Sequence, residues 1–250
     1  MTESGVLDGR VALVTGAAGG LGRVFVAGLV RAGAAVAGLD IADMNPLAQA
    51  VAAIGGTFLG IPADITDPGL AASAVQQAAE HFGRLDILVN NAGIYPLVPF
   101  EQTTPEQWRQ VMNLNLDGLF YVTQAALPWL KQSPAGRIVN IASAVVWLGP
   151  PGMVAYTASK AGMIGFTRAL ASELGPAGIT VNAITPSMIA TETAVTTGVT
   201  RDHDRVIAGQ SVPRPQQPED LVSTLLYLCD PASSFVTGAA INVDGGHAKH

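Results

Sequence analysis

The chain has 250 residues, a length that suits one large α/β domain or two small ones and leaves the size of a hydrophobic core unconstrained. Apolar residues make up 49% and charged residues 13%, about half the usual ~25%, so either some apolar surface is hidden in a partner subunit or the core is simply rich in Ala and Gly. The net charge of −6, with 13 scattered Lys and Arg, argues against a nucleic-acid or anionic-membrane partner.

Met1 to Arg10 is acidic and lacks an apolar stretch, so no secretory signal is expected there. Mean hydropathy is +0.36, but Gly, Pro or charged residues interrupt every apolar run before the ~18 residues of a spanning helix. From there, apolar β-branched runs alternate with helical patterns. Strands are expected at 11–15, 35–40, 57–61, 86–90, 137–142, 180–184 and 239–243. Helices are expected at 20–31, 46–54, 68–82, 105–130, 153–174 and 218–228. Short strands, apolar on both faces and separated by helices, demand right-handed crossovers. The expected fold is a single Rossmann-type α/β domain of three layers, with a seven-stranded parallel sheet. Residues 185–217 form the one long irregular stretch, weakly helical near 201–207, and read as a substrate lid or else a surface insertion. Cys229 is the only cysteine, which excludes an intrachain disulfide and a thiolate metal site and suits a cytoplasmic protein. No metal is expected.

The first strand runs into Thr15-Gly16-Ala17-Ala18-Gly19-Gly20-Leu21-Gly22 and then a helix. Glycines let the chain turn tightly and bring backbone N–H groups against an anion, to which the helix N-terminus adds partial positive charge. Gly16, Gly20, Leu21 and Gly22 are therefore candidates to hold a pyrophosphate. Asp40 ends the second strand, where a carboxylate can accept hydrogen bonds from ribose hydroxyls and repel a 2′-phosphate. Ile41 and Ala42 follow it, with no Arg or Lys, so NAD is expected over NADP, unless Asp40 only caps a turn. Asp64 and Ile65 follow the third strand near an adenine position, and Asp64 reads equally as a helix cap. Asn91, Ala92 and Gly93 follow the fourth strand. Small residues there admit a cofactor, and Asn91 can alternatively tie strands together.

Tyr156 and Lys160 are four apart in a helical pattern, which stacks them on one face. A lysine cation beside a phenol favours phenolate and lowers the Tyr pKa, which suits acid–base work. Ser143 lies beyond the fifth strand at the carboxyl edge of the sheet, where it can hold a substrate oxygen or merely stabilise a turn. Asn115 lies inside a long helix, where Asn is a mediocre former, and is expected to order a water near Lys160 or to serve as a buried hydrogen-bonding group.

These motifs, in order and over nearly the whole chain, resemble the short-chain dehydrogenase/reductase family. Thr15–Gly22 matches its TGxxxGxG turn, Asn90–Gly93 its NNAG, Asn115–Gly118 its NxxG and Tyr156–Lys160 its YxxSK pattern, and Val243–Gly246 fits as well. The resemblance implies that Tyr156 exchanges the hydroxyl proton and that Lys160 lowers its pKa and binds the nicotinamide ribose. It further implies that Ser143 polarises the substrate oxygen and that Asn115 anchors a relay water. The family's usual Pro-Gly after strand six is Pro186-Ser187 here. Ile189 and Thr191 match positions that touch the carboxamide and phosphates.

Residues 90–97, Gly165–Gly175 and Pro186-Ser187 are similar to secondary-alcohol members such as 1-phenylethanol dehydrogenase. Tyr95, Val145, Trp147, Met153 and Met188, with Ser143, are the candidate pocket walls and suit an aryl or medium-sized alkyl ketone better than a phosphorylated or acidic substrate. Trp147 and Met153 can instead pack at a subunit interface. A 3-oxoacyl-thioester reductase should need basic residues near the pocket mouth, and few are visible. A non-catalytic NAD(H)-sensing module would leave the Ser-Tyr-Lys-Asn set unexplained. Family resemblance also implies a homotetramer.

Overall fold

The computed structural model describes residues 5–189 and 203–249. Along the chain run β1 (Val11–Thr15), α1 (Gly20–Arg31), β2 (Ala35–Asp40), α2 (Asn45–Ala53), β3 (Phe58–Pro62), α3 (Pro68–Phe82) and β4 (Ile87–Asn90). Next come α4 (Pro105–Met112), a π-helical turn (Asn113–Asp117), α5 (Gly118–Leu130), β5 (Arg137–Ile141), the short α6 (Val145–Leu148) and α7 (Val154–Leu174). The chain closes with β6 (Thr180–Pro186), α8 (His203–Gly209), α9 (Val222–Cys229) and β7 (Ala240–Val243). All seven strands are parallel in one sheet of order β3-β2-β1-β4-β5-β6-β7.

The chain reverses direction across the sheet between β1 and β4, the position at which doubly wound sheets open a crevice at their carboxyl edge. Helices cover both faces because β1, β4, β5 and β6 are buried along their whole length. One layer packs α1 and α9 with Phe25, Leu29, Leu225 and Leu228 against Val14, Val36 and Val139. The opposite layer packs α3, α5 and α7 with Val75, Val122 and Leu174 against Leu13, Leu88 and Ile138.

Most boundaries fall within a residue or two of the expected ones. Two differences have physical reasons. The helix expected over 105–130 is interrupted at 113–117, where the Gly118 N–H bonds back to the Asn113 carbonyl, five residues away. Within that turn the Asn115 side chain bonds across to other segments. Within the expected lid β6 continues to Pro186, Ile189 bridges to Gln216, and α8 forms at 203–209; its residues 190–202 lie outside the described residues.

Candidate active site

The carboxyl edge of the sheet opens into a cavity of about 1320 Å³. The turn after β1 lines one end, and the segment after β6 with α8 lines the other. Gly16 has φ +65, and a Cβ there would stand 2.9 Å from Ala92 Cα. At Gly22 a Cβ would stand 2.1 Å from the Gly16 carbonyl oxygen, so only glycine lets α1 pack onto the turn. Gly19 caps α1 with no side-chain hydrogen bond, and the first turn of the helix carries no acid. Its amides therefore face the cavity with no side-chain partner, an arrangement that fits the pyrophosphate of a dinucleotide.

Asp40, Ile41, Asp64 and Ile65 line the same end. Asp40 Oδ2 accepts from the Ala18 N–H at 2.9 Å and Oδ1 from the Ala42 N–H at 3.0 Å. The carboxylate thus shapes the glycine turn while facing the cavity. Asp64 Oδ1 accepts from both the amide and the hydroxyl of Thr66, and these bonds hold its carboxyl below the usual range. The cap of α3 is Asp67, which accepts from Gly69 and Leu70.

Asn91 lines the cavity, yet its side chain joins strands: Nδ2 donates to the carbonyls of Thr15 and Gly16. The Thr15 hydroxyl in turn accepts from the amides of Asn91 and Ala92. This lattice fixes the β1 turn against the end of β4 and sets the place of Ala92 and Gly93 on the wall.

Ser143, Tyr156 and Lys160 come together on the cavity wall. Ser143 follows β5, and its Oγ accepts from the Val145 N–H at 3.3 Å. Lys160 Nζ donates to the Ile141 carbonyl at 2.6 Å and lies 5.7 Å from the Tyr156 ring centroid. Burial pushes the Lys160 ammonium down to about 8. Desolvation also pushes the Tyr156 phenol up to about 12, partly offset by the neighbouring Ser143 hydroxyl, with Tyr95 adding a smaller upward push. The expected lowering of the phenol by Lys160 is not seen in the protein alone, where the ammonium is turned toward the Ile141 carbonyl and desolvation dominates the phenol.

Asn115 is fully buried. Its Oδ1 accepts from the Ile94 N–H at 2.9 Å, while Nδ2 donates to the Ile94 carbonyl and to Ser159 Oγ, each at 3.0 Å. Ser159 passes the link on by donating to the Tyr156 carbonyl at 2.7 Å. Asn115 thus clamps the segment after β4 to the Tyr156 helix.

Tyr95, Val145, Met153 and Met188 line the cavity, and Tyr95 meets Tyr156 edge-on with centroids 5.9 Å apart. Trp147 does not: its indole N–H donates to Asn242 Oδ1 at 3.1 Å, which turns the ring toward β7. On the one-turn helix α6 its neighbour Leu148 lines the cavity instead. Ile189 lines the cavity, and Thr191 lies outside the described residues. Sequence reasoning missed Leu97 and Leu148 on the apolar wall, and Ser187, Arg205 and His247 at the β6–β7 end. Nothing in the local pattern marks Arg205 or His247, which reach the site through a loop helix and the C-terminal tail.

Among the described residues no helix is long and apolar enough to cross a membrane, and no group of His, Cys, Asp and Glu could hold a metal ion. Residues 16–248 match a family model described as enoyl-(acyl carrier protein) reductase. The chain is 38% identical over 246 residues to 2-dehydro-3-deoxy-D-gluconate 5-dehydrogenase of Dickeya dadantii, covering 96% of each chain. It is 36% identical over 247 residues to 3-oxoacyl-[acyl-carrier-protein] reductase of Synechocystis, covering 96% of this chain and 97% of the relative. Among solved structures, a putative short-chain alcohol dehydrogenase from Sinorhizobium meliloti superposes with TM-score 0.90 at 37% identity, covering 96% of this chain and 97% of that one. A blue fluorescent protein from a metagenomic library, in complex with NADPH, does so with TM-score 0.90 at 35% identity, covering 97% and 99%. On motifs, sheet order and relatives together, the chain belongs to the short-chain dehydrogenase/reductase family, whose members are oxidoreductases working with a nicotinamide cofactor.

Proposed function

We propose that this protein interconverts a secondary alcohol and a ketone using NAD(H), with an aryl or medium-sized apolar substrate body. The observation that carries the reading is the convergence of Ser143, Tyr156 and Lys160 on the wall of a cavity whose opposite end fits a dinucleotide. The cofactor, when bound, accepts or supplies hydride at its nicotinamide ring. All else falls to the chain. The glycine turn and the α1 N-terminus would hold the pyrophosphate, and Asp40 the adenosine ribose. Asp40 supports NAD, because its carboxylate faces the cavity, Ile41 beside it is 80% exposed, and no cation follows.

At the other end Ser143 Oγ orients the substrate oxygen, and Tyr156 Oη removes its proton in alcohol oxidation or returns it in ketone reduction. A phenol near 12 is a reluctant base. Positive charge brought close to it, including Lys160 turned from Ile141 toward the phenol, favours phenolate and draws that value down. Asn115 keeps the helix bearing Tyr156 in place. An ordered water near Lys160 would have to use the second lone pair of Asn115 Oδ1 or a backbone carbonyl, since both amide protons are committed. Tyr95, Leu97, Val145, Leu148, Met153 and Met188 supply the apolar wall. Absorbance at 340 nm with NAD⁺ or NADP⁺ across aryl and alkyl secondary alcohols tests the reading. NAD-preferring turnover supports it, and failure of the whole panel sinks it.

A second reading, reduction of a 3-oxoacyl thioester, is favoured by the Synechocystis relative named for that activity. Turnover of an acyl-carrier thioester with strong NADPH preference would establish it. We also propose a homotetramer in the cytoplasm. Phe100, Trp108, Phe120 and Val154, on and beside α4, α5 and α7, are exposed and apolar, as a helix-paired interface requires. A monomeric mass by light scattering would reject the assembly.

A further inference from the structure

Charge on the cavity wall is segregated. Among the described residues the acids on it are Asp40 and Asp64, which follow β2 and β3. The cations are Lys160, committed to the Ile141 carbonyl, and Arg205 on α8, with the His247 imidazole beside it. In the sheet order β2 and β3 occupy one wing, whereas His247 follows β7 on the other, about 24–29 Å away at ~4.8 Å per strand. Ser143 and Tyr156 stand between, beyond β5. The basic groups therefore lie on the side of the reacting hydroxyl away from the adenosine end.

The corner is held together. A Cβ on Gly209 would stand 2.9 Å from His247 Nε2 and Cδ2, so the imidazole packs on the last turn of α8. Arg205 is four residues before Gly209 and shares its helix face. The Ser211 and Val212 amides both donate to the Gly245 carbonyl, which ties the end of α8 to the C-terminal tail. Ser187 Oγ lies 3.4 Å from His247 Nδ1, joining the segment after β6 to the same corner. Among the described residues the ion pairs are Arg84–Asp86, Arg109–Glu106 and Arg214–Asp220, and none engages Arg205.

We infer that the substrate carries an anionic group, a carboxylate at the end of its apolar body remote from the carbonyl, which Arg205 binds with support from His247. This rests on the alcohol–ketone reading and narrows it from neutral ketones to keto and hydroxy acids. A guanidinium presents a planar fork of donors that matches a carboxylate. The phosphates of the cofactor offer a second anion of related chemistry, so the test must separate the two.

The test compares 4-acetylbenzoate with its neutral amide, 4-acetylbenzamide, on the cofactor-loaded enzyme. It reads kcat and KM together with calorimetric binding, and repeats both on Arg205→Gln and Arg205→Lys. The carboxylate should be favoured at least about 10-fold, through KM and Kd rather than kcat, since one charge-assisted contact is worth that order. Arg205→Gln should bring the ratio to within about threefold of unity, and Arg205→Lys should restore part of it. Equal handling of both ligands by the wild type, or a ratio that survives Arg205→Gln, would overturn the inference. So would weaker NADH binding in Arg205→Gln with the ratio intact, which would give Arg205 to the cofactor phosphates. Tyr156-dependent reduction of the amide alongside such a failure leaves the alcohol–ketone reading standing. Carboxylate binding that Arg205→Gln abolishes, with no ketone reduced, would sink that reading and keep the anion corner.

Discussion

The two wings of the sheet meet the same cavity by different means. On the β3-β2-β1-β4 side the wall is backbone and short side chains: the glycine turn, the α1 N-terminus, Ala92 and Gly93, locked by Thr15 and Asn91. On the β5-β6-β7 side it is long side chains: Tyr156 on α7, and Leu148, Met188, Arg205 and His247 on short or irregular segments. β7 is only partly buried, whereas β1 is buried throughout. A wall built mostly of backbone recognises what every dinucleotide offers, an anion and a ribose, and leaves cofactor choice to the few side chains on it, such as Asp40. A wall built of side chains can be changed one residue at a time, which is where substrate choice resides.

The sharpest way to break this contrast is Gly22→Ala. Its Cβ would collide with the Gly16 carbonyl oxygen at 2.1 Å, and backbone cannot swing aside as a side chain can. We expect a loss of about 100-fold or more in NADH affinity by fluorescence titration, roughly 3 kcal/mol or more, as α1 is forced off the turn. A Kd unchanged within a few-fold would show that the turn does not hold the nucleotide.

Asn115→Ala tests the clamp between the wings. It removes the partners of the Ile94 amide and carbonyl and the donor to the buried Ser159 hydroxyl. A cost of about 3 kcal/mol in urea unfolding is expected. A loss of activity without a loss of stability would instead assign Asn115 to proton transfer alone.

Lys160 links the catalytic side to pH. Its folded value, near 8, lies below its ordinary 10.5, so between those limits the unfolded chain binds more protons and stability rises with pH. The gain is at most about 3 kcal/mol across that window. Tyr156, raised to about 12, opposes it above pH ~10, where the unfolded chain loses a proton that the folded one keeps. Urea unfolding from pH 7 to 9.5 should therefore show a rise that Lys160→Met abolishes. The same slope in wild type and variant would place the titration elsewhere.

Asp40→Asn removes charge while keeping an acceptor for the Ala18 amide. The ratio of kcat/KM for NAD⁺ over NADP⁺ should fall about 10- to 100-fold, the loss of one repulsion worth roughly 1.4–2.8 kcal/mol. An unchanged ratio would reduce Asp40 to a turn-shaping residue.

Legibility in the sequence followed the same divide. The strands, the glycine turn and Asp40 were readable because period, glycine and strand ends are local properties. Tyr156 and Lys160 were readable because four residues in a helix fix a shared face. What the sequence concealed depends on distant partners. Helical periodicity over 105–130 hides the π-turn, whose Asn115 is satisfied only by Ile94 and Ser159. Trp147 looked like a pocket wall until Asn242, 95 residues away, took its indole N–H. A Tyr–Lys pairing shows nothing of burial, which here raises the phenol rather than lowering it. Arg205 and His247 carry no local signal, because two separate segments must fold together before they share a corner.

In the proposed mechanism Tyr156 moves the proton while the opposite wing holds the nucleotide. Parallel measurement of ketone reduction and NADH affinity on wild type and Tyr156→Phe tests it most directly. We expect kcat/KM to fall about 10³-fold or more while the NADH Kd stays within a few-fold. Turnover that survives in Tyr156→Phe, with the Kd equally preserved, would contradict it.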